Sequence, residues 1–158
     1  MRDQIEIFEV RFAELDAAQR RLLEAVPPGR LYWQPRDPDA LFPVNSVGEY
    51  VLRSAAAVES TFGGITAKLW DDPFEWTLPE ALPTPGAVLV YLDEVAAARD
   101  KGFAFFTDDR DLAKSIPAPE KLKTLSAILI DSLLRAEHFL GRACGVLGTI
   151  PEVKIPRR

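Results

Sequence analysis

Histidine and cysteine each occur once in this 158-residue chain, at His138 and Cys144. A lone cysteine excludes an intrachain disulfide and any cysteine-based metal site, and a lone histidine falls short of the imidazole set that transition metals favour. Positive charge is also scarce. The 19 lysines and arginines are outweighed by 24 acidic residues, giving a net charge of −5. Nucleic-acid binding through phosphate neutralisation needs a concentrated basic surface, and the one basic cluster is the terminal pair Arg157 and Arg158, so nucleic acid is not an expected partner. No stretch approaches a membrane span, and the opening MRDQIEIFEV carries acidic residues where a signal peptide needs an apolar run. The expectation is a soluble cytoplasmic protein with no membrane partner. Strand-like alternation and internal repeats are missing too.

What is present is an apolar content of 47%, spaced for helices and ample for one domain with a sizeable core. The richest stretch is residues 121–148, KLKTLSAILIDSLLRAEHFLGRACGVLG, which also holds the single histidine and cysteine. Leu122, Leu125, Leu129, Leu133, Ala136, Phe139, Ala143 and Leu147 recur at three- and four-residue steps, and Ile128, Ile130, Leu134 and Leu140 widen that face. A helix apolar around so much of its girth is expected inside a bundle, touching more than one neighbour.

Three more helices are expected. Ile5, Phe8, Phe12, Leu15, Leu22 and Val26 mark the first, over residues 3–26, with only Gln19 breaking the apolar line. The second starts at Ser46, which forms a capping box with Glu49, and runs to about Trp70 along Val47, Tyr50, Val51, Ser54, Val58, Thr61, Ile65 and Leu69. Thr84 caps the third, with Pro85 at its first position and Val88, Leu92, Val95, Gly102 and Phe106 as its buried line; Tyr91, Ala98 and Phe105 lie alongside. Between the helices, the proline-rich segments 30–45 and 71–83 read as loops anchored by Leu31, Tyr32, Trp33, Leu41 and Phe42 in one and Phe74 and Trp76 in the other. Linker 107–119 holds one short turn near Asp111 to Lys114 before Pro119 opens the last helix. The fold class is therefore all-α, a four-helix bundle over residues 1–148 followed by an extended tail, 149–158. The connections are long enough to join parallel or antiparallel neighbours, so periodicity leaves the topology open.

Four motifs in order carry a resemblance: PPGRLYWQP at 27–35, NSVGEYVL at 45–52, TPGAVLVYLDEVAAAR at 84–99, and a long helix with HFLGR at 138–142. Together they make the chain, from Phe12 to Leu147, similar to the DinB/YfiT-like superfamily, which includes metal-dependent enzymes. The resemblance implies an up-down-down-up four-helix bundle, commonly dimeric, with expression linked to stress. Active members hold a divalent metal by one histidine on the second helix and two, four apart, on the fourth, leaving positions open for water or substrate. Carried onto this chain, those positions are Arg53, Arg135 and Phe139, none of them a metal ligand. His138 precedes the lost ligand by one residue, an offset that turns it about 100° away toward the rim. No partner for a general base is apparent in sequence; a shifted helical register would turn His138 inward, with Glu137 or Glu59 as its carboxylate partner.

Two guanidiniums aimed at a former metal pocket demand compensation. Glu49, Glu59, Asp131 and Glu137 are candidate internal partners, and snorkelling to solvent is another solution. The functional alternative is a pocket for a carboxylate or phosphate ligand, which the planar Arg fork suits. Elsewhere, Cys144 reads as a small core residue, Trp33, Trp70 and Trp76 as plugs of the bundle ends, and Ser54, Ser126 and Ser132 as serines without an activating base.

Three functional readings follow. The preferred one is a metal-free DinB-like protein with a degenerate metal site, binding a small molecule, with an anion as the candidate, through Arg53, Arg135, Phe139 and His138, with no cofactor and no assigned catalytic residue. The second is a metal-dependent hydrolase or thiol transferase of the same superfamily, which requires at least three converging ligands. The third is a non-catalytic structural homodimer with a dry centre and a shared apolar face.

Overall fold

The computed structural model describes residues 1–36, 39, 41–71 and 77–153. Among these are four α-helices: α1 (Asp3–Ala25), α2 (Val47–Ala67), α3 (Pro85–Phe103) and α4 (Leu125–Leu147). Between α3 and α4 come a 3-10 turn, Asp109–Ala113, and a two-stranded antiparallel ribbon of β1 (Ser115–Pro117) and β2 (Leu122–Thr124). No helix of the described residues is long and apolar enough to cross a membrane.

Side-chain caps set where three helices begin. Ser46 Oγ accepts from the Glu49 amide at 3.2 Å while the Glu49 carboxylate accepts from the Ser46 amide at 3.1 Å, the reciprocal box expected for α2. Thr84 Oγ1 accepts from the Ala87 amide at 3.1 Å, with Pro85 opening α3 where its missing N–H is harmless. Thr124 Oγ1 does the same for Ala127 at 3.2 Å, so α4 begins at Leu125 and not near Pro119 or Lys121. The residues just before it are extended instead, with Ser115 opposite Thr124 and Pro117 opposite Leu122. This ribbon overturns the expectation of no strands. Three-residue strands interleaved with prolines are too short to show a period of two.

Helix α2 ends at Ala67, short of Trp70, because Lys68 adopts a left-handed conformation (φ 58°) and turns the chain back. The Lys68 amide bonds Gly64 O at 3.0 Å and the Leu69 amide bonds Gly63 O at 3.1 Å. Trp70 then lies flat on Gly64, where a Cβ would sit 2.2 Å from the indole, so only glycine permits this approach. Helix α3 ends at Phe103 and not Phe106; both phenylalanines are buried, while Phe105 turns out to solvent at 58% exposure.

Cross-helix contacts define the directions. Tyr50 stacks on Phe139 at 6.4 Å and Ser54 Oγ donates to Ala136 O at 2.8 Å, while Ser132 Oγ donates to Ala57 O at 3.2 Å, so α2 and α4 run antiparallel. Phe12 meets Phe103 at 5.7 Å and Arg20 pairs with Asp93 at 2.8 Å, which makes α1 and α3 antiparallel. At one end Phe62 packs on Phe103 at 5.0 Å, and at the other Tyr32, lying against Gly48, donates its hydroxyl to Leu82 O, so α2 and α3 run the same way. Gln19, which breaks the apolar line of α1 in sequence, is only 2% exposed and donates to Ser54 Oγ at 2.8 Å. It heads a relay through Ser54 to Ala136 that ties three helices together.

The most enclosed element is α2, with thirteen of its 21 residues buried, whereas α4 buries eight of 23. As expected, α4 touches more than one neighbour, packing on both α2 and α1, but it is buried along one side and not around its girth. Its inner line is Leu125, Leu129, Ser132, Ala136, Leu140 and Ala143, and its outer side leaves Ile130 48% and Leu134 66% exposed. Cys144, expected in the core, is exposed on that outer side. In the connection after α1, Leu31 is buried, but Leu41 and Phe42 are largely exposed. Past α4 the chain folds back, with Ile150 1% exposed and Arg30 pairing with Glu152 at 2.6 Å. The tail expected to be extended therefore packs against the helices as far as Val153. Phe74, Trp76, Arg157 and Arg158 lie outside the described residues.

Candidate functional site

The seam between α2 and α4 is held by two serines, each donating to a carbonyl of the opposite helix, Ser54 to Ala136 and Ser132 to Ala57. This pairing brings position 53 of α2 opposite positions 135 and 139 of α4. Arg53, Arg135 and Phe139 line one narrow cavity with Ala57 and Ser60, about 10 Å³ in volume, room for about one water molecule. The Arg53 guanidinium lies 5.9 Å from the centre of the Phe139 ring, a cation–π contact. Its Nε is buried without a hydrogen bond among the described residues, although Arg53 and Arg135 are both engaged by other contacts.

Three of the four carboxylates that the sequence offers as counter-ions have partners of their own. Glu49 closes the α2 cap, Glu59 accepts from the Tyr91 hydroxyl at 2.5 Å, and Asp131 pairs with Lys123 at 2.7 Å.

A second cavity of about 220 Å³ adjoins the first and shares Ala57, Ser60 and Arg135 with it. Trp70 forms one wall, Ile128 and Ala57 part of the floor, and Lys123 and Asp131 stand at the side of the ribbon. Among the described residues, Arg53, Arg135, Lys123 and Asp131 are the charged groups that line the two cavities; Lys123 pairs with Asp131, and both arginines have partners of their own. Sequence reasoning missed Lys123, Trp70 and Ser60. Lys123 reaches the site through a ribbon with no periodic signal, and Trp70 through a left-handed turn; the Gly63–Gly64 pair was the one available hint of close packing there.

His138 is exposed, edge-on to Phe139 at 5.5 Å, and lines neither cavity. Of the four site residues named from sequence, three come together and the histidine stays on the outer side of α4.

Two arginines and a phenylalanine supply no donor set for the metal that the family resemblance implies. Among the described residues, no group of three or more His, Cys, Asp or Glu side chains comes together to hold one. Ser54 and Ser132 are buried and donate to backbone carbonyls, which leaves neither poised as a nucleophile.

Other clefts differ in character. Between α1 and α3, a cavity of about 400 Å³ contains Arg2 and Arg99, but Glu9 at 2.8 Å and Asp100 at 2.9 Å neutralise them. A groove of about 500 Å³ beside α4 is lined mainly by apolar groups such as Leu41, Phe42 and Val146, with Tyr50 and Arg142 at its edge. The perturbed titrations lie away from the seam: burial, reinforced by Glu49 and Glu80, pushes the Tyr32 hydroxyl up to about 12, and Arg110 holds Asp108 down to about 2.

No protein-family model, no curated protein and no solved structure matches this chain.

Proposed function

We propose that this chain is a DinB/YfiT-like four-helix bundle whose metal site has been replaced by a cationic cleft, and that it binds a small anionic molecule between α2 and α4. One observation carries the reading: Arg53, Arg135 and Phe139, the positions to which the resemblance assigns the metal ligands, line a single cavity. Supporting it are the helix senses, with α1 antiparallel to α2 and α3, and α4 antiparallel to α2, the up-down-down-up order of that superfamily. Guanidinium groups from both helices at one cavity suit a carboxylate or phosphate, which the planar fork recognises by charge-assisted hydrogen bonds.

The family assignment is tested by reconstruction. Arg53→His, Arg135→His and Phe139→His together should create a site that binds nickel or zinc stoichiometrically, read by elemental mass spectrometry and calorimetry. No binding by a folded triple variant counts against the assignment. Metal retained by the unmodified protein, purified without an affinity tag, would instead favour a metal-dependent hydrolase or transferase. The anion reading is tested by thermal-shift screening of acetate, benzoate, phosphate and sulfate, with stabilisation expected to fall in Arg135→Ala.

The homodimer reading draws on a different observation, the exposed Ile130 and Leu134 on α4 next to Gly141 and Gly145, which have open space in front of them. Sedimentation equilibrium of the unmodified protein and of Leu134→Arg tests it, with a dimer lost in the variant as the supporting result.

A further inference from the structure

We infer that the outer stripe of α4 is a self-complementary surface on which a second copy of this chain packs antiparallel, with Ile130 and Leu134 of each copy seated on Gly145 and Gly141 of the other. This rests on the homodimer reading above and fixes its orientation and its contacts.

Glycine inside a helix is less favourable than alanine, so its presence there calls for a close neighbour. Gly48, Gly64 and Gly102 have one: a Cβ would fall 2.5 Å from Tyr32, 2.2 Å from Trp70 and 2.3 Å from Phe62. Gly141 and Gly145, in the C-terminal half of α4, are exposed and have nothing within 4 Å of that position among the described residues. Their open space is used by nothing within the chain.

The N-terminal half of the same stripe has the opposite shape. Ile130 and Leu134 stand out at 48% and 66% exposure. Steps of four, seven and four residues join positions 130, 134, 141 and 145, which keeps all of them on one side of the helix. Leu134 and Gly141 are centred on the point between Glu137 and His138, and so are Ile130 and Gly145. One two-fold axis through that point, perpendicular to α4, therefore lays both large side chains of each copy on both glycines of the other. A parallel pair would oppose leucine to leucine and glycine to glycine, which leaves the space unfilled.

The flanking charges agree with this direction. Asp131 belongs to the half with the large residues and Arg142 to the half with the glycines, and they are centred within one residue of the same point. Arg142 rests on Tyr50, 3.4 Å from its hydroxyl and 5.8 Å from its ring centre, with no carboxylate paired to it among the described residues. Asp131 bonds Lys123 through one oxygen and is 56% exposed, which leaves the other oxygen for the partner's Arg142. One helix from each copy makes a small interface, so micromolar affinity is expected.

Sedimentation equilibrium of the unmodified protein, up to millimolar concentration, should show a monomer in exchange with a dimer. Gly141→Ala combined with Gly145→Ala should weaken the dimer at least tenfold and yet raise the melting midpoint of the dilute monomer, since alanine favours the helix but fills the seat of the partner's side chain. For orientation, Leu134→Cys and Gly141→Cys are each made in a Cys144→Ser background. Mixed and oxidised, the two proteins should form a disulfide-linked pair, and neither should cross-link alone. A monomer at every concentration overturns both this inference and the homodimer reading. A dimer that the alanines leave unchanged, or one in which Leu134→Cys cross-links to itself, overturns the antiparallel packing while the homodimer reading stands.

Discussion

Helices α2 and α4 are nearly equal in length and similarly rich in apolar residues, yet α2 is enclosed on most sides and α4 on one. The difference lies in side-chain size. α2 carries Ala55, Ala56 and Ala57 in its middle and Gly48 and Gly64 near its ends, so Tyr32 and Trp70 approach closely at the two glycines. α4 carries more large aliphatic residues than its contact face can accept, and Ile130 and Leu134 remain outside. Apolar content measures the surface available for burial; the size of the residues decides how many neighbours can come close enough to bury it.

This contrast is most sharply broken at Phe62, which is 1% exposed and packs against Phe12 at 5.2 Å and Phe103 at 5.0 Å. Phe62→Ala should cost about 3–5 kcal/mol in urea denaturation, the typical range for emptying a filled aromatic site. A loss under about 1 kcal/mol would show that α2 is not the centre of the core.

Next in size is the relay that joins α2 to both α1 and α4. Ser54→Ala strands the buried Gln19 amide and removes the second hydrogen bond to the Ala136 carbonyl, and should cost about 1–3 kcal/mol. Gln19→Leu combined with Ser54→Ala should recover part of that loss, because removing both partners is cheaper than orphaning one. A double-mutant cycle with no coupling would sink the relay.

Tyr32, packed against Gly48 at the start of α2, gives a smaller and pH-dependent effect. Burial holds the neutral phenol, so its folded pKa of about 12 exceeds the unfolded value of 10.0. The associated stabilisation is complete below about pH 10 and is lost as pH rises toward 12. Denaturation midpoints followed through that window should fall more steeply for the unmodified protein than for Tyr32→Phe. Parallel curves would mean that the phenol titrates freely.

The smallest effect belongs to the outer face of α4. Leu134→Gln, at 66% exposure, should change monomer stability by no more than about 0.5 kcal/mol. A larger loss that depends on protein concentration would show that this face is covered in solution.

Much of the helical layout was legible in the sequence, and for local reasons. The Ser46–Glu49 box and the Thr84–Pro85 start are short-range chemistry, and the structure places α2 and α3 where those signals do. The signal for α4 misled at its start because apolar spacing continues through Leu122, whereas Thr124 caps the helix and Leu122 is 69% exposed on the ribbon. Gln19 misled in the opposite sense: a polar residue on an apolar line looks like an interruption until Ser54, 35 residues away, supplies its partner. At the site, the resemblance selected Arg53, Arg135 and Phe139, which do share a cavity, while Lys123 and Trp70 reach the cleft through backbone turns that no spacing rule encodes.

By itself, the sequence determined the number of helices, two of their capped starts, the acidic balance of the chain and the poverty of metal ligands, since each follows from residue identity or from neighbours within one helical turn. Tertiary structure alone decided which helix is enclosed, that Gln19 is a satisfied core residue, that Cys144 faces out, and that three cations gather along one seam of an acidic protein. Those outcomes depend on which distant residues meet, and that is set by how large and small side chains fit together across the whole core.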